Sequence, residues 1–201
     1  MTSSERIVSG FKVQNMQDTT RTNGHADNNV WKGLAAGLIG GLVASWTMNR
    51  FQDVWSHFQN IAGEGREEAP GVQDPVIGSK PEVQDDTTVR AASAVSEGVF
   101  GHKLTPSEKK IGGTAVHYVL GTGVGGLYGA AAEIAPNVTA AAGLPFGATF
   151  WLVVDEGAVP LLGLSEGPMA YPLSTHAYAL SSHFVYGVTA EVVRRAVRGA
   201  L

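Results

Sequence analysis

The sequence predicts an all-α protein with four transmembrane helices arranged as two similar hairpins, on three observations. No lysine or arginine occurs in the eighty residues 111–190, although about a quarter of a soluble domain is normally charged. Four runs with little or no charge have about the length that crosses a bilayer core: residues 33–49, 111–132, 134–154 and 168–190. Glycine recurs at four-residue intervals in these runs, and membrane helices tolerate glycine well.

Composition excludes several other classes of protein. The chain contains no cysteine, so it can form neither a disulfide framework nor a thiolate metal site. Its net charge of −4 gives no indication of nucleic-acid binding. The sequence contains no phosphate-binding loop and no HExxH motif, so we expect no catalytic residue, no metal and no cofactor.

The composition divides the chain into four regions. Residues 1–29 are rich in Ser, Thr, Asn, Asp and Gln, which predicts a disordered polar tail. Residues 30–58 predict the first transmembrane helix. Residues 59–105 predict a long acidic extramembrane loop that carries a short amphipathic helix, because prolines and carboxylates precede a run of helical apolar spacing. Residues 106–198 hold three further transmembrane helices.

Local signals place the helices that follow the acidic loop. The short helix, expected on the membrane surface or against the bundle, has apolar residues at helical spacing: Val89, Ala92, Val95, Val99 and Phe100. Thr105 and Glu108, with Pro106 between them, predict a capping box that starts the second span. The third span is expected over roughly residues 139–162 and the fourth over roughly residues 174–197.

Charge near the helix ends predicts the orientation. An even number of spans places both termini on one side, and the positive-inside rule favours the cytoplasm for that side through Lys32, Arg194, Arg195 and Arg198. Basic residues also flank the other side: Arg50, Lys103, Lys109 and Lys110. We expect a multi-pass protein of the bacterial inner membrane with cytoplasmic termini.

Two short motifs occur twice and predict a repeat of the helical hairpin. The sequence AAGL occurs with Gly37 and again with Gly143, and a Tyr-Gly pair precedes Glu133 and again Glu191 at the same spacing. Such a repeat would relate the hairpins by a pseudo-two-fold axis along the membrane normal. Coincidence in a glycine- and alanine-rich chain is the alternative.

Glycines four residues apart share one helix face, and small residues there let two backbones approach closely in lipid. We therefore predict contact seams, with a glycine-lined solute path as the alternative. The predicted packing residues are Gly33, Gly37, Gly41, Gly121, Gly125, Gly129, Gly143 and Gly147.

Polar residues fall inside or beside the predicted spans toward the face away from the termini: Arg50, His117, Asp155, Glu156, His176 and His183. A charge near the bilayer centre costs about 2.5–3.5 kcal/mol, so these groups require partners. They could bind a proton or a divalent ion. We favour a structural lock in which Arg50 pairs with Asp155 or Glu156 while the histidines donate hydrogen bonds to the backbone. Adjacent helical residues point about 100° apart, so the two carboxylates are expected to have different partners.

The other face carries a second set of charges. Glu133 and Glu191 end their spans in equivalent positions, and Arg194 and Arg195 follow Glu191. Pairing between Glu191 and Arg195 at four-residue spacing accounts for these charges at the cytoplasmic side. Tyrosines one turn earlier, Tyr128 and Tyr186, are predicted to be interface aromatics.

Three segments together carry a family resemblance: HYVLGTGVGGLYGAAAE, VPLLGLSEGP and SSHFVYGVTAEVVRR. With these segments, residues 111–198 resemble the YagU family of small bacterial inner-membrane proteins, named as a domain of unknown function. The positions that carry the resemblance are His117, Tyr128, Gly129, Glu133, the turn of residues 160–164, His183, Glu191, Arg194 and Arg195. The resemblance implies a four-helix inner-membrane protein without an established activity.

Three functional hypotheses follow. The first is a non-enzymatic structural or accessory protein of the bilayer, whose acidic loop engages a membrane-protein partner or whose helices contact a second copy. The alternative is a small transporter or channel, proton-linked through the His/Asp/Glu cluster. A third is a membrane enzyme with a metal held by His117, His183 and either Asp155 or Glu156.

Overall fold

The computed structural model describes residues 3–64 and 87–201, and these residues are helical with short connecting turns and no strand. The helices are α1 Ser3–Glu64, α2 Thr87–Phe100, α3 Pro106–Ile134, α4 Leu144–Val153, α5 Val159–Leu161 and α6 Leu173–Ala200. A π turn, Val154–Ala158, joins α4 to α5, and 3-10 turns cover Pro136–Gly143 and Pro168–Ala170. The predicted all-α class is confirmed.

The helices pack around α1 and α6. Helix α1 contacts both α3 and α6, helix α4 contacts α6, and helix α2 lies against α3. Lys32 at the start of the packed part of α1 donates a hydrogen bond to the Leu201 carbonyl at 2.8 Å. Asn49 lies farther along α1 and donates to the Tyr118 hydroxyl at 3.4 Å. We call the end with Lys32 the terminal end and the opposite end the cavity end.

Helix α1 begins at Ser3, whereas the sequence predicts a disordered tail over residues 1–29 and a helix from about Val30. The backbone is therefore helical where an irregular tail was expected. The first proline of the chain is Pro70, so no residue before it blocks the helical hydrogen bonds. The proposed domain boundary at residue 29 stays a prediction, and most of the acidic loop lies outside the described residues.

The expected third helix is interrupted at its start. A continuous helix was predicted from about Thr139, but Ala141 and Ala142 have positive φ angles of 48° and 55°, and α4 begins only at Leu144. Pro145 explains the delay, because a proline ring clashes with the carbonyl four residues earlier in a helix and is tolerated in the first turn.

The start of α3 is confirmed in detail. The backbone N–H of Thr105 donates to the Glu108 carboxylate at 2.7 Å, and the Glu108 N–H donates to the Thr105 hydroxyl at 3.4 Å. These hydrogen bonds and the nearby His102 hold the pKa of Glu108 at about 2. Helix α2 also lies where the apolar spacing predicts it, with Ala92 buried.

The number of membrane spans is not confirmed. Among the described residues, one helical stretch, Pro136–Leu161, is long and apolar enough to cross a membrane. One such stretch is weak support for a membrane protein. The other predicted spans contain many glycine and polar residues, which lower their mean hydropathy.

The interior of the bundle holds mainly small and polar side chains. The buried residues include Ala36, Ala44, Ala190, Ser45, Ser182, His183 and Glu191, around a small group formed by Met48, Phe150 and Tyr186. Large apolar side chains point outward on several helices, among them Trp46, Val119, Leu127, Leu152, Val153 and Val192. This distribution is the reverse of a water-soluble domain, where large apolar residues fill the core.

Candidate functional site

The polar cavity is a space of about 810 Å³ at the cavity end, lined by α1, α3, α4, α6, the π turn and the first residues of α2. Its volume falls in the range of small-molecule sites, about 300–1,000 Å³. Its wall includes five of the six predicted cluster residues: His117, Asp155, Glu156, His176 and His183. The fold therefore brings these five side chains to one space.

The π turn positions the two carboxylates. It widens the helix at Val154–Ala158, and π turns of this kind are frequent at functional sites. Asp155 lies toward His183, with 3.7 Å between Oδ2 and Nδ1, while Glu156 lies toward His176. Adjacent residues on a helix point in different directions, so the two carboxylates meet different histidines.

The pair of His176 and Glu156 holds one exchangeable proton. His176 Nδ1 lies 2.6 Å from Glu156 Oε1, and Nε2 lies 3.0 Å from the Pro168 carbonyl oxygen. A carbonyl only accepts, so Nε2 carries a hydrogen. The short contact at Nδ1 then needs one further proton, on either the imidazole or the carboxyl group. In both arrangements the pair is neutral and can release a proton.

The other two histidines contact backbone carbonyls. His183 is 4% exposed, and its Nδ1 lies 2.9 Å from the Ala179 carbonyl oxygen, while the ring packs edge-on against Phe150. Its Nδ1 therefore donates, and Nε2 is the acceptor of the neutral ring. His117 Nε2 lies 3.4 Å from the Ser45 carbonyl oxygen.

Arg50 is the cluster residue that the structure places elsewhere. Its guanidinium lies 3.2 Å from the carboxylate of Asp53, and both side chains are more than half exposed. It is not among the residues that line the polar cavity. The expected lock with Asp155 or Glu156 is therefore replaced by a surface pair within α1.

A shift in helix register accounts for the position of Arg50. A Cβ added to Gly33 would meet the carbonyl oxygen of Gly129, and one added to Gly143 would meet that of Gly187. The two Tyr-Gly motifs make Gly129 and Gly187 equivalent, so Gly143 takes the place of Gly33. In contrast, the alignment of the two AAGL motifs makes Gly143 equivalent to Gly37, which lies four residues after Gly33. The structural equivalence of the two hairpins is therefore offset by one helical turn from the alignment of the AAGL motifs. Because of this offset, Arg50 lies one turn beyond the level of the two carboxylates.

Each of the eight predicted packing glycines lies close to another helix. A Cβ at any of them would come within 3.0 Å of an atom of a neighbouring helix. In contrast, a Cβ on Gly123 of α3 would meet no atom within 4 Å. Gly125 and Gly129 of α3 face the backbone of α1, and Gly147 faces the backbone of α6 at His183.

The terminal ion cluster comprises Glu133, Glu191, Arg194, Arg195 and Arg198, at the terminal end of the bundle. Glu191 is 1% exposed and accepts hydrogen bonds from Arg194 at 2.8 and 3.0 Å and a further one from Arg195. Arg198 donates to Glu133 at 2.7 and 3.2 Å. Every carboxylate of this cluster is thus paired with arginine.

The structure also involves residues that sequence reasoning assigned other roles. Tyr128 and Tyr186, expected at the membrane interface, are buried. Tyr128 donates a hydrogen bond to Glu191 at 2.8 Å, and Tyr186 donates to the Gly121 carbonyl at 2.5 Å. Their position one turn before a glutamate was the available signal. Ser45 continues the glycine ladder of α1 and was not recognised as a lining residue of the cavity.

The cavity does not present an evident metal centre. No group of three His, Cys, Asp or Glu side chains is placed to hold a metal ion within residues 3–64 and 87–201, as far as their side chains are described. The carboxylates and histidines form two separate pairs instead. The hypothesis of a metal held by His117 and His183 gains no support from this geometry.

Comparison with known proteins gives one match. The family model described as "Protein of unknown function (DUF1440)" matches residues 89–192. This segment contains all five cluster residues of the polar cavity and excludes α1. No curated protein and no solved structure matches the chain. The match identifies an uncharacterised family, and the resemblance to the YagU family stays a prediction.

Proposed function

We propose that this chain, which belongs to the DUF1440 family of proteins of unknown function, is a multi-pass protein of the bacterial inner membrane. We propose further that it is a small proton-linked transporter or channel, with the polar cavity as its pathway. The observation that carries the transport proposal is the convergence of two histidine and carboxylate pairs on one cavity of about 810 Å³.

The surface of the bundle supports the membrane location. Monomeric soluble proteins rarely expose large contiguous apolar areas, yet Val119, Leu127 and Leu152 are each more than half exposed on helix faces. Lipid would cover these side chains. The interior of small and polar residues fits helix association in a membrane, where close backbone contact replaces the apolar core.

The contacts at the terminal end support an even number of spans. Lys32 of α1 contacts Leu201, and Arg198 of α6 contacts Asn29. The first and last packed helices therefore have their outer ends at the same end of the bundle. The basic residues there favour the cytoplasmic side.

The chemistry of the cavity supports a proton-linked role over a purely structural one. Ionisable residues inside membrane helices face the bundle interior or a water-filled cavity and often mark ion and proton pathways. A structural lock requires only paired charges in a dry seam, whereas these pairs face a space large enough for a solute. Histidine and carboxylate side chains both accept and release protons, so these pairs supply the groups that a proton-linked pathway needs.

Proton flux tests the transport proposal. The purified full chain would be reconstituted in vesicles that contain a pH-sensitive dye, and a potassium diffusion potential would drive protons inward. We expect faster acidification than in protein-free vesicles, and its loss in Glu156→Gln. Asp53→Asn is the matched control, because this carboxylate is exposed and pairs with Arg50 outside the cavity. Flux equal to that of empty vesicles would refute transport and leave an accessory role.

Extraction tests the membrane location separately. Cell membranes washed with alkaline carbonate should retain the full chain, and its release should require detergent. A chain purified as an aqueous monomer without detergent would show that the apolar surface is not covered by lipid.

A further inference from the structure

Two ionic clusters among the described residues neutralise their carboxylates in different ways. In the terminal ion cluster, Glu191 is paired with Arg194 and Arg195, and arginine stays charged at any physiological pH. In the polar cavity, Glu156 is paired with His176, and histidine, unlike arginine, can give up its proton. The arginine cations of the first cluster stay charged, whereas the proton of the histidine and glutamate pair can be replaced by another cation.

The charges that face the polar cavity make this exchange favourable. Its ionisable side chains, apart from tyrosines, are Lys110 and His117 of α3, Asp155 and Glu156 of the π turn, and His176 and His183 of α6. In the described parts of α1 and α2, no residue of the cavity wall is titratable. With neutral histidines, two carboxylates face one lysine, and this lysine is exposed. A cationic ligand would therefore neutralise the negative charge that the cavity wall carries after the proton leaves.

Aromatic rings complete the cavity wall. Phe150, Tyr171 and Tyr186 line the same space as the carboxylates, with Met48 and Leu120. The face of an aromatic ring attracts a cation within about 6 Å of its centroid. Apolar and aromatic surface beside a carboxylate therefore suits a cation that also carries apolar groups.

We propose that the polar cavity binds an amphiphilic organic cation in exchange for a proton. The cation takes the place of the proton shared by Glu156 and His176, and the proton leaves to water, so that the net charge of the cavity is unchanged. This inference rests on the transport function proposed above and names the class of its solute.

Binding of tetraphenylphosphonium, a lipophilic cation, tests the inference on the full chain in detergent. Calorimetric titration should show saturable binding that weakens as the pH falls, by up to about tenfold per unit for competition with one proton. Glu156→Gln should bind at least about tenfold more weakly, equivalent to about 1.4 kcal/mol, and should lose the pH dependence. Asp53→Asn should bind like the wild type.

The controls separate charge recognition from apolar partition and from misfolding. Triphenylphosphine oxide is neutral and similar in shape, and equal affinity for it would overturn the inference. Affinity that does not depend on pH, or full binding by Glu156→Gln, would also overturn it. If Glu156→Gln shows no thermal unfolding transition, this variant is not folded. Asp155→Asn is then used in its place, with the same expected weakening of cation binding. Proton flux without cation binding would remove this inference and leave the proposed function intact.

Discussion

The contact between α1 and α3 permits a quantitative test with a single methyl group. In Gly125→Ala, the new Cβ would lie 2.5 Å from the Cα of Gly41 and 2.7 Å from the carbonyl oxygen of Gly37. All of these neighbours are backbone atoms, so they cannot rotate away as a flexible side chain could. The two helices must separate to accommodate the methyl group.

The size of the effect follows from these distances. Carbon atoms in contact normally lie about 3.5–4.0 Å apart, so α1 must move by about 1 Å. Overpacking of this kind costs about 1–3 kcal/mol of unfolding free energy. The same change at Gly123 on α3 meets no atom within 4 Å, and alanine is favoured over glycine in a helix by about 1 kcal/mol. Because both variants gain this helix preference, they should differ by the overpacking cost alone, about 1–3 kcal/mol.

Reversible denaturation in mixed detergent micelles, followed by circular dichroism, measures this difference. Gly125→Ala should be less stable than the wild type, and Gly123→Ala should be equally stable or more stable. The two positions share one helix and one substitution, so helix propensity cancels in the comparison. Equal stability of the two variants would refute the close contact between α1 and α3.

Three further predictions concern the polar groups. Tyr128→Phe removes the 2.8 Å hydrogen bond to Glu191. The loss of a hydrogen bond to a charged acceptor should lower the unfolding free energy by about 1.5 kcal/mol. An unfolding free energy equal to that of the wild type, measured by chemical denaturation, would contradict this. Because the pKa of Glu108 is lowered from 4.5 to about 2, its stabilising effect is complete above pH 4.5 and is lost as the pH falls to 2. The protection of amides at the start of α3 against hydrogen exchange, relative to the intrinsic rate at each pH, should fall over this range in the wild type and should not do so in Glu108→Gln. Arg50→Gln breaks an exposed pair and should change stability by less than about 1 kcal/mol, whereas a larger loss would indicate a buried partner for Arg50.

Sequence signals with a local physical cause predicted the helices well. The capping box at Thr105 and Glu108 requires only residues three positions apart, and the structure forms both of its hydrogen bonds. The short helix α2 was likewise visible in the spacing of its apolar residues. Such signals need no knowledge of the tertiary structure, because the interacting groups are neighbours in the chain.

Signals that depend on comparing distant segments were less reliable. The AAGL motif adopts an α-helix at Gly37, but at Gly143 it lies in a turn with positive φ angles at the two alanines. Pro145 follows only the second copy, and it delays the start of α4. The same four residue types therefore adopt different backbone conformations in the two copies of the motif, and the alignment of the two hairpins was wrong by one helical turn.

Depth along a helix can be read from the sequence, but the direction of a side chain around the bundle cannot. His117, Asp155 and His183 were predicted at one depth, and they line one cavity. The alignment of the two hairpins predicted Arg50 at the same depth, and the register shift places it one turn beyond that depth. The sequence alone could not decide between a paired lock and an open site, because both use the same residue types at the same depth.

The contrast between arginine and histidine partners decides between these two interpretations better than burial does. Glu191 is nearly completely buried, yet its arginines fix its charge, and the cluster has no proton to exchange near neutral pH. Glu156 is less buried, but its partner His176 can give up a proton and both side chains face the polar cavity. If the cavity cluster were only a lock, an arginine at position 176 would hold Glu156 at least as well. The choice of a titratable partner at the cavity, beside arginines at the terminal end, is what a proton-linked site requires and a structural pair does not.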